Sequence, residues 1–366
     1  TYTATGSITF YGSITINNYF DAGAFIHYVY GNWTVNGTFV YGTSTIQFLG
    51  SGNIFIGISN FYHIIFAGTG TVTATGSLTI WGDVTINNYF DAGSFVHYVY
   101  GNWINNGTFV YGTSTIWFSS TVNIYIGINE FYNVVFAGTG NYIATGSITF
   151  HGDVTINNYF DAGTYTHYVY GGWIVNGVFV YGTSTIHFMG TGISFVNGGS
   201  FYHVIFGGTG TVTATGSLTI YGNVSITGTF SGGSYIHYIY GNWTNNGTFV
   251  YGTSTIHFIG SGNILIGESD FYHIIFAATG TIVDTGSISV YGDFTINTYF
   301  DAGSYEHFIY GNWYNYGIFV YGTSTIHFSG SGNYLLSPEE FYHVIFGGTG
   351  TYTATGTLIF HGNVTI

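Results

Sequence analysis

The phrase GNWTNNGTFVYGTSTIHF at residues 241–258 has close copies at 31–48, 101–118, 171–188 and 311–328. The copies follow one another at a single fixed period, and no insertion or deletion breaks it. The chain therefore divides into five copies, 1–70, 71–140, 141–210, 211–280 and 281–350, and a partial copy, 351–366, that restarts the opening phrase. Strict self-similarity at a fixed period marks an architecture in which each unit buries its open faces on its neighbours. A 70-residue unit would be marginally stable alone. No proline cluster, serine-rich spacer or charge run separates the copies, and Pro338 is the only proline. The expectation is one continuous array rather than beads on linkers.

Within a copy the apolar runs are short and rich in Val, Ile, Thr, Tyr and Phe, which favours strands over helices. In the first copy the strands are expected near 7–10, 13–16, 25–30, 37–41, 44–48, 54–57 and 61–67. Turns are expected at the glycines of YGS, DAG, YGN, VNG and AGTG. Variation among the copies identifies the buried face. Ile46 and Phe48 recur unchanged, whereas the residue between them is Gln47, Trp117, His187, His257 or His327. Alternation of this kind places 46 and 48 inward and 47 outward. The same reasoning places Ile26 and its counterpart Glu306 outward, with residues 25, 27 and 29 inward. The phrases SITI, GTFV and YHII begin at 13, 37 and 62, a spacing close to that of a β-helix turn. The predicted fold is all-β, a parallel β-solenoid of five 70-residue repeats with about three coils per repeat and fifteen to sixteen rungs.

Composition removes several function classes. The chain has no Lys or Arg and 14 acidic residues, a formal charge of −14. It therefore lacks the cations that neutralise nucleic-acid phosphates or attract anionic membranes. With 46% hydrophobic and only 4% charged residues it is not a disordered chain. No apolar run is long enough for a membrane helix, and the runs are shorter than the roughly 10-residue strands of a membrane barrel. Neither nucleic-acid binding nor membrane insertion is expected. Without cysteine there is no disulfide or thiolate chemistry. The start at Thr1, with neither Met nor a signal-like segment, is what a processed export product or a piece of a longer protein would show.

The phrases G-N-W-x-x-N-G-T-F, G-T-S-T-I-x-F and F-Y-x-[IV]-[IV]-F together resemble the repeats of large secreted bacterial and archaeal surface proteins, β-helical adhesins and extracellular filaments. The resemblance covers the whole chain because the repeat does. It implies a cell-surface or extracellular setting and names no ligand. The uniformity of the copies and the absence of basic residues depart from that pattern in the direction of a durable filament or sheath.

The chemistry-bearing residues recur with the repeat. Asp21, Asp91, Asp161 and Asp301 lie in FDAG, and Asp83, Asp153 and Asp293 in GD[VF]TI. Calcium ligation at these turns competes with Asx-turns, and the exchange of Asp with Ser or Asn among copies favours the Asx-turns. No cofactor is otherwise expected. His27, His97, His167, His237 and His307 form one series and His63, His203, His273 and His343 another, both read as hydrogen-bonded core residues rather than metal ligands. Trp33, Trp103, Trp173, Trp243 and Trp313 are read as stacked core rings rather than a sugar platform. Sequons make Asn32, Asn36, Asn106, Asn223, Asn242, Asn246 and Asn363 candidate N-glycosylation sites. Acidic positions that recur copy after copy do not form the single cleft of a polysaccharide-cleaving enzyme, so no enzyme is expected. The sequence reading is a structural repeat protein. It would form or extend an extracellular filament, sheath or cell-surface stalk by head-to-tail and lateral self-association. The alternative is a glycan-binding surface adhesin.

Overall fold

The computed structural model describes residues 1–366 and contains 58 strands of two to four residues and no helix. The chain forms two compact units, Thr1–Gly182 and Thr183–Ile366, whose boundary falls inside the third copy of the repeat. Strand 29, Val178–Val180, is the last of the first unit, so each unit carries half of the strands.

Both units are parallel β-solenoids. Apart from one recurring interruption described below, strands pair in parallel with the strand three places on, so three strands make one turn. An ordinary turn carries the chain from Ile14 to Trp33, from Ile46 to Ile64 or from Ile64 to Val84. The turn from Trp33 to Ile56 is longer than these. At three strands per turn each unit holds between nine and ten turns, about 19 in the two together.

About 19 turns exceed the fifteen to sixteen rungs expected from the sequence, because each copy holds more than three turns. Ile14–Ile16, Val84–Ile86 and Val154–Ile156 are strands 3, 14 and 25, so eleven strands pass in every copy. The second unit repeats this with Val224–Ile226, Phe294–Ile296 and Val364–Thr365, strands 36, 47 and 58. Eleven strands at three per turn are three and two-thirds turns. The phrases whose spacing suggests successive coils sit on strands 3, 7 and 11, Ile14–Ile16, Thr38–Val40 and His63–Phe66. These are four strands apart and therefore lie on three different faces. A feature of the repeat thus moves to a different face in the next copy.

The interior is apolar and aromatic because alternate residues of each strand point inward. Ile46, Phe48, Ile116 and Phe118 are fully buried, and Gln47 and Trp117 between them are half-buried, as the variation among copies implied. His27 and Val29 are buried and Ile26 is exposed, whereas Phe25, expected inward, is not buried. Stacked turns bring like residues together. Phe66 lies on Phe90 with ring centroids 4.2 Å apart and planes 3° from parallel, and Phe206 lies on Phe230 at 3.9 Å. Each corner must also let one backbone pass close over the next. At Gly112 φ is +55°, and a Cβ there would fall 2.1 Å from the Gly93 carbonyl oxygen, so both conformation and space require glycine.

Candidate functional site

The ladder is interrupted once in each of the first, second, fourth and fifth copies. Strand Thr108–Val110 pairs with Tyr89–Asp91 behind it, and Asn129–Phe131 pairs with Ile148–Phe150 ahead of it, but no ladder joins Thr108–Val110 to Asn129–Phe131. The same break separates Thr38–Val40 from Ser59–Phe61 in the first unit. In the second unit it separates Thr248–Val250 from Ser269–Phe271 and Ile318–Val320 from Glu339–Phe341. The outer face opens there into a cleft. In the second copy the cleft measures about 510 Å³ and is lined by Asn105, Asn106, Thr108, Ile128, Asn129 and Glu130. In the fifth it measures about 570 Å³, with Tyr316, Pro338 and Glu340 among its walls.

Three contacts span the break. From inside, tryptophan acts as a wedge. Trp103 packs edge-on against Phe109 at 4.8 Å and against Phe131 at 5.6 Å, touching the inward ring of each separated strand. Trp33, Trp243 and Trp313 make the same pair of contacts. All five tryptophans of this series are at most 2% exposed, so they are core rings with no face left for a sugar. Behind the cleft floor a polar knot forms. Trp103 Nε1 donates to Asn129 Oδ1 at 3.0 Å and Asn105 Nδ2 donates to the same oxygen at 3.1 Å. Ser269 Oγ plays that part for Trp243 and Asn245, and Glu339 Oε2 for Trp313 and Asn315. The first copy has Val35 in place of the asparagine, and there Trp33 Nε1 and Ser59 Oγ stay unpartnered. Burial pushes the Glu339 carboxyl up, against the pull of its hydrogen bonds.

On the outside a ring pair bridges the break. Tyr111 stacks on His151 at 4.5 Å, Tyr251 on Tyr291 at 4.9 Å and Tyr321 on His361 at 5.0 Å, with Tyr41 and Trp81 further apart at 6.5 Å. The second ring of each pair is His, Tyr or Trp. The two histidines stand over glutamates, His151 Nε2 lying 2.9 Å from Glu130 Oε2 and His361 Nε2 2.9 Å from Glu340 Oε2. Where the ring is Trp81, Tyr221 or Tyr291, the sequence position of the glutamate is held by Asn60, Ser200 or Asp270.

The sequence-predicted residues fall into place around this frame. In the first histidine series, Nε2 of His27 lies 2.9 Å from the Ala22 carbonyl oxygen, which can only accept, so Nε2 carries the proton. Nδ1 is then the acceptor for the Ile8 amide at 3.2 Å. His97, His167 and His237 repeat both bonds. Burial holds these three below the ordinary histidine value, with the carbonyl bond opposing it only in part. In the second series, His63, His203, His273 and His343 accept the amide of the next turn at Nδ1, each at 2.8 Å. Asn133 replaces that acceptor with its Oδ1, also at 2.8 Å, which explains why asparagine serves there. His187 and His257, placed outward by the sequence, are half-buried, and burial holds both below the ordinary histidine value.

Asp21, Asp91, Asp161 and Asp301 each accept the amide of the glycine two residues on, at 2.8 to 2.9 Å, the Asx-turn geometry. Asp83 and Asp153 act differently from the Asx-turn expected of them. Their Oδ1 atoms accept the backbone amides of Asn102 and Gly172 one turn ahead, at 2.8 and 2.7 Å, and Ser13 Oγ does the same for Asn32. Nowhere do three or more His, Cys, Asp or Glu side chains converge.

The sequon asparagines differ in their commitments. Asn36 and Asn106 sit on the turn before the break and donate to Asn17 and Asn87 one turn back, at 2.8 and 3.1 Å. Asn246 occupies the same turn, beside Thr227 in place of an asparagine. Asn32 and Asn242 spend Oδ1 on the Phe55 and Leu265 amides, both at 2.9 Å, clasping the long turn. Asn223 Oδ1 accepts the Asn242 amide at 3.0 Å, and Asn363 is exposed.

The ladder break, its cleft and its ring pair were not anticipated from sequence. Comparison with family models, with curated proteins and with solved structures found no match.

Proposed function

We propose that this chain is a structural repeat element that forms or extends an extracellular filament, sheath or cell-surface stalk, stacking end to end and associating sideways with further copies. The observation that carries this reading is the advance of eleven strands per copy of the repeat. Successive copies of any surface feature fall on different faces, so no face collects an array for a ligand, whereas the interior contacts recur turn after turn. What the repetition preserves is the packing. A solenoid turn left uncovered presents strand edges and an apolar cross-section, which favours stacking. The absence of lysine and arginine leaves no trypsin site, which suits a long-lived extracellular material.

The clefts favour a second reading, glycan binding by a surface adhesin. Their amides, hydroxyls and carboxylate in the second copy are groups that hydrogen-bond sugar hydroxyls. Electron microscopy of the purified chain at neutral pH, alongside a glycan-array screen, separates the two. The structural reading expects long uniform fibres and no glycan retained. Dispersed particles that bind glycans would overturn it in favour of the adhesin.

A further inference from the structure

One core position breaks the repetition. Ala4, Ala74, Ala144, Ala214 and Ala354 are replaced in the fifth copy by Asp284. Its side chain is sealed from solvent, and neither carboxyl oxygen has a hydrogen-bond partner. Nδ1 of the buried His307 lies 3.4 Å from Oδ2.

The state of His307 is constrained by its other contacts. Nε2 lies 3.0 Å from the Ala302 carbonyl oxygen and so carries a hydrogen. In the other four copies Nδ1 accepts a backbone amide at 3.2 Å, and here it accepts the Ile288 amide at a longer 3.4 Å. An ionised Asp284 would face a lone pair, with no donor to either oxygen. A doubly protonated His307 would turn an N–H towards the Ile288 N–H. The arrangement without either conflict puts one proton on the carboxyl, directed at the Nδ1 lone pair that the Ile288 amide also approaches. The other titratable groups nearby do not supply a counter-charge. Asp301, on the neighbouring turn, is acidic and already accepts the Gly303 amide at 2.9 Å. His327, one turn beyond His307, faces outward and lies 3.4 Å from Glu306 Oε2.

We propose that Asp284 and His307 share a single proton inside the fifth copy, and that losing this proton to solvent destabilises that turn, so that the second unit is sensitive to rising pH. Burial, and secondarily the charge on Asp301, raise the Asp284 carboxyl well above its ordinary value, in keeping with this geometry. The folded state then holds a proton that the unfolded chain has released, and stability falls as pH rises from the ordinary carboxylate range to the folded value.

The test is urea unfolding of the full chain from pH 5 to 9 for the wild type, Asp284→Ala and Asp284→Asn. Alanine fills this position elsewhere, so Asp284→Ala is expected to fold. The wild-type unfolding constant, relative to that of Asp284→Ala, should rise by up to about tenfold per pH unit until the carboxyl ionises. The ratio of Asp284→Asn to Asp284→Ala should stay flat. Infrared spectroscopy at pH 7 should show a protonated carboxylic-acid band in the wild type that is lost in Asp284→Ala. A flat wild-type ratio, or no such band, would overturn the proposal.

Discussion

Replacing Trp103 with alanine should cost about 3–5 kcal/mol, the range for deleting a fully buried large aromatic. The indole is 2% exposed and is the wedge that fills the space between two strands no ladder joins. Its removal leaves Phe109 and Phe131 facing a void and takes one donor from Asn129 Oδ1. Little backbone hydrogen bonding is present there to resist opening. Trp103→Phe should cost less, because the ring wedge persists and the main loss is one hydrogen bond worth about 1 kcal/mol. Urea unfolding measures both, and hydrogen exchange should show the amides of 108–110 and 129–131 losing protection first. The comparison residue is Trp81, which is 44% exposed and stacks on Tyr100. If Trp103→Ala proves no more damaging than Trp81→Ala, the wedge account fails.

Acid should destabilise the first unit as pH falls below the ordinary histidine value, about 6.5. His97 and His167 are buried, neutral, and held below the ordinary histidine value. Between that ordinary value, about 6.5, and the lower folded value, the unfolded chain binds protons that the folded state refuses. Stability is therefore intact above about pH 6.5 and is lost as pH falls through this window. Each histidine contributes about 1.4 kcal/mol of loss per unit by which its value is depressed. The urea midpoint should drop between pH 7 and pH 4.5, and the drop should shrink in a His97→Gln, His167→Gln double variant. A wild-type midpoint unchanged across that range would show that these histidines do not set the acid limit. The second unit combines this trend, through His237, with the opposite one proposed for Asp284.

These positions also show how far the sequence could be read. Constancy of Ile46 and Phe48 around a variable residue 47 was enough to find the inward face, because alternation is a local property of a strand. Exchange of Asp21 with Ser in another copy was enough to identify a turn, because only a side-chain oxygen is common to both. The number of strands per turn was not legible. Strands this short, joined by short corners, look alike, and SITI, GTFV and YHII had to be placed on faces before their spacing meant anything. The Tyr111–His151 pair joins distant parts of the sequence across a break that leaves no compositional mark. Asp284 was visible as a departure from alanine, but its meaning depends on His307, which only the register of the turns brings beside it.

The most direct test of the account is diffraction from oriented fibres of the purified chain. Turns stacked at about 4.8 Å should give a strong reflection along the fibre axis. Three and two-thirds turns per repeat should give an axial spacing of about 18 Å for each copy. An axial repeat of about 14 Å, the value for three whole turns, or a reflection at about 4.8 Å lying across the fibre axis, would contradict it.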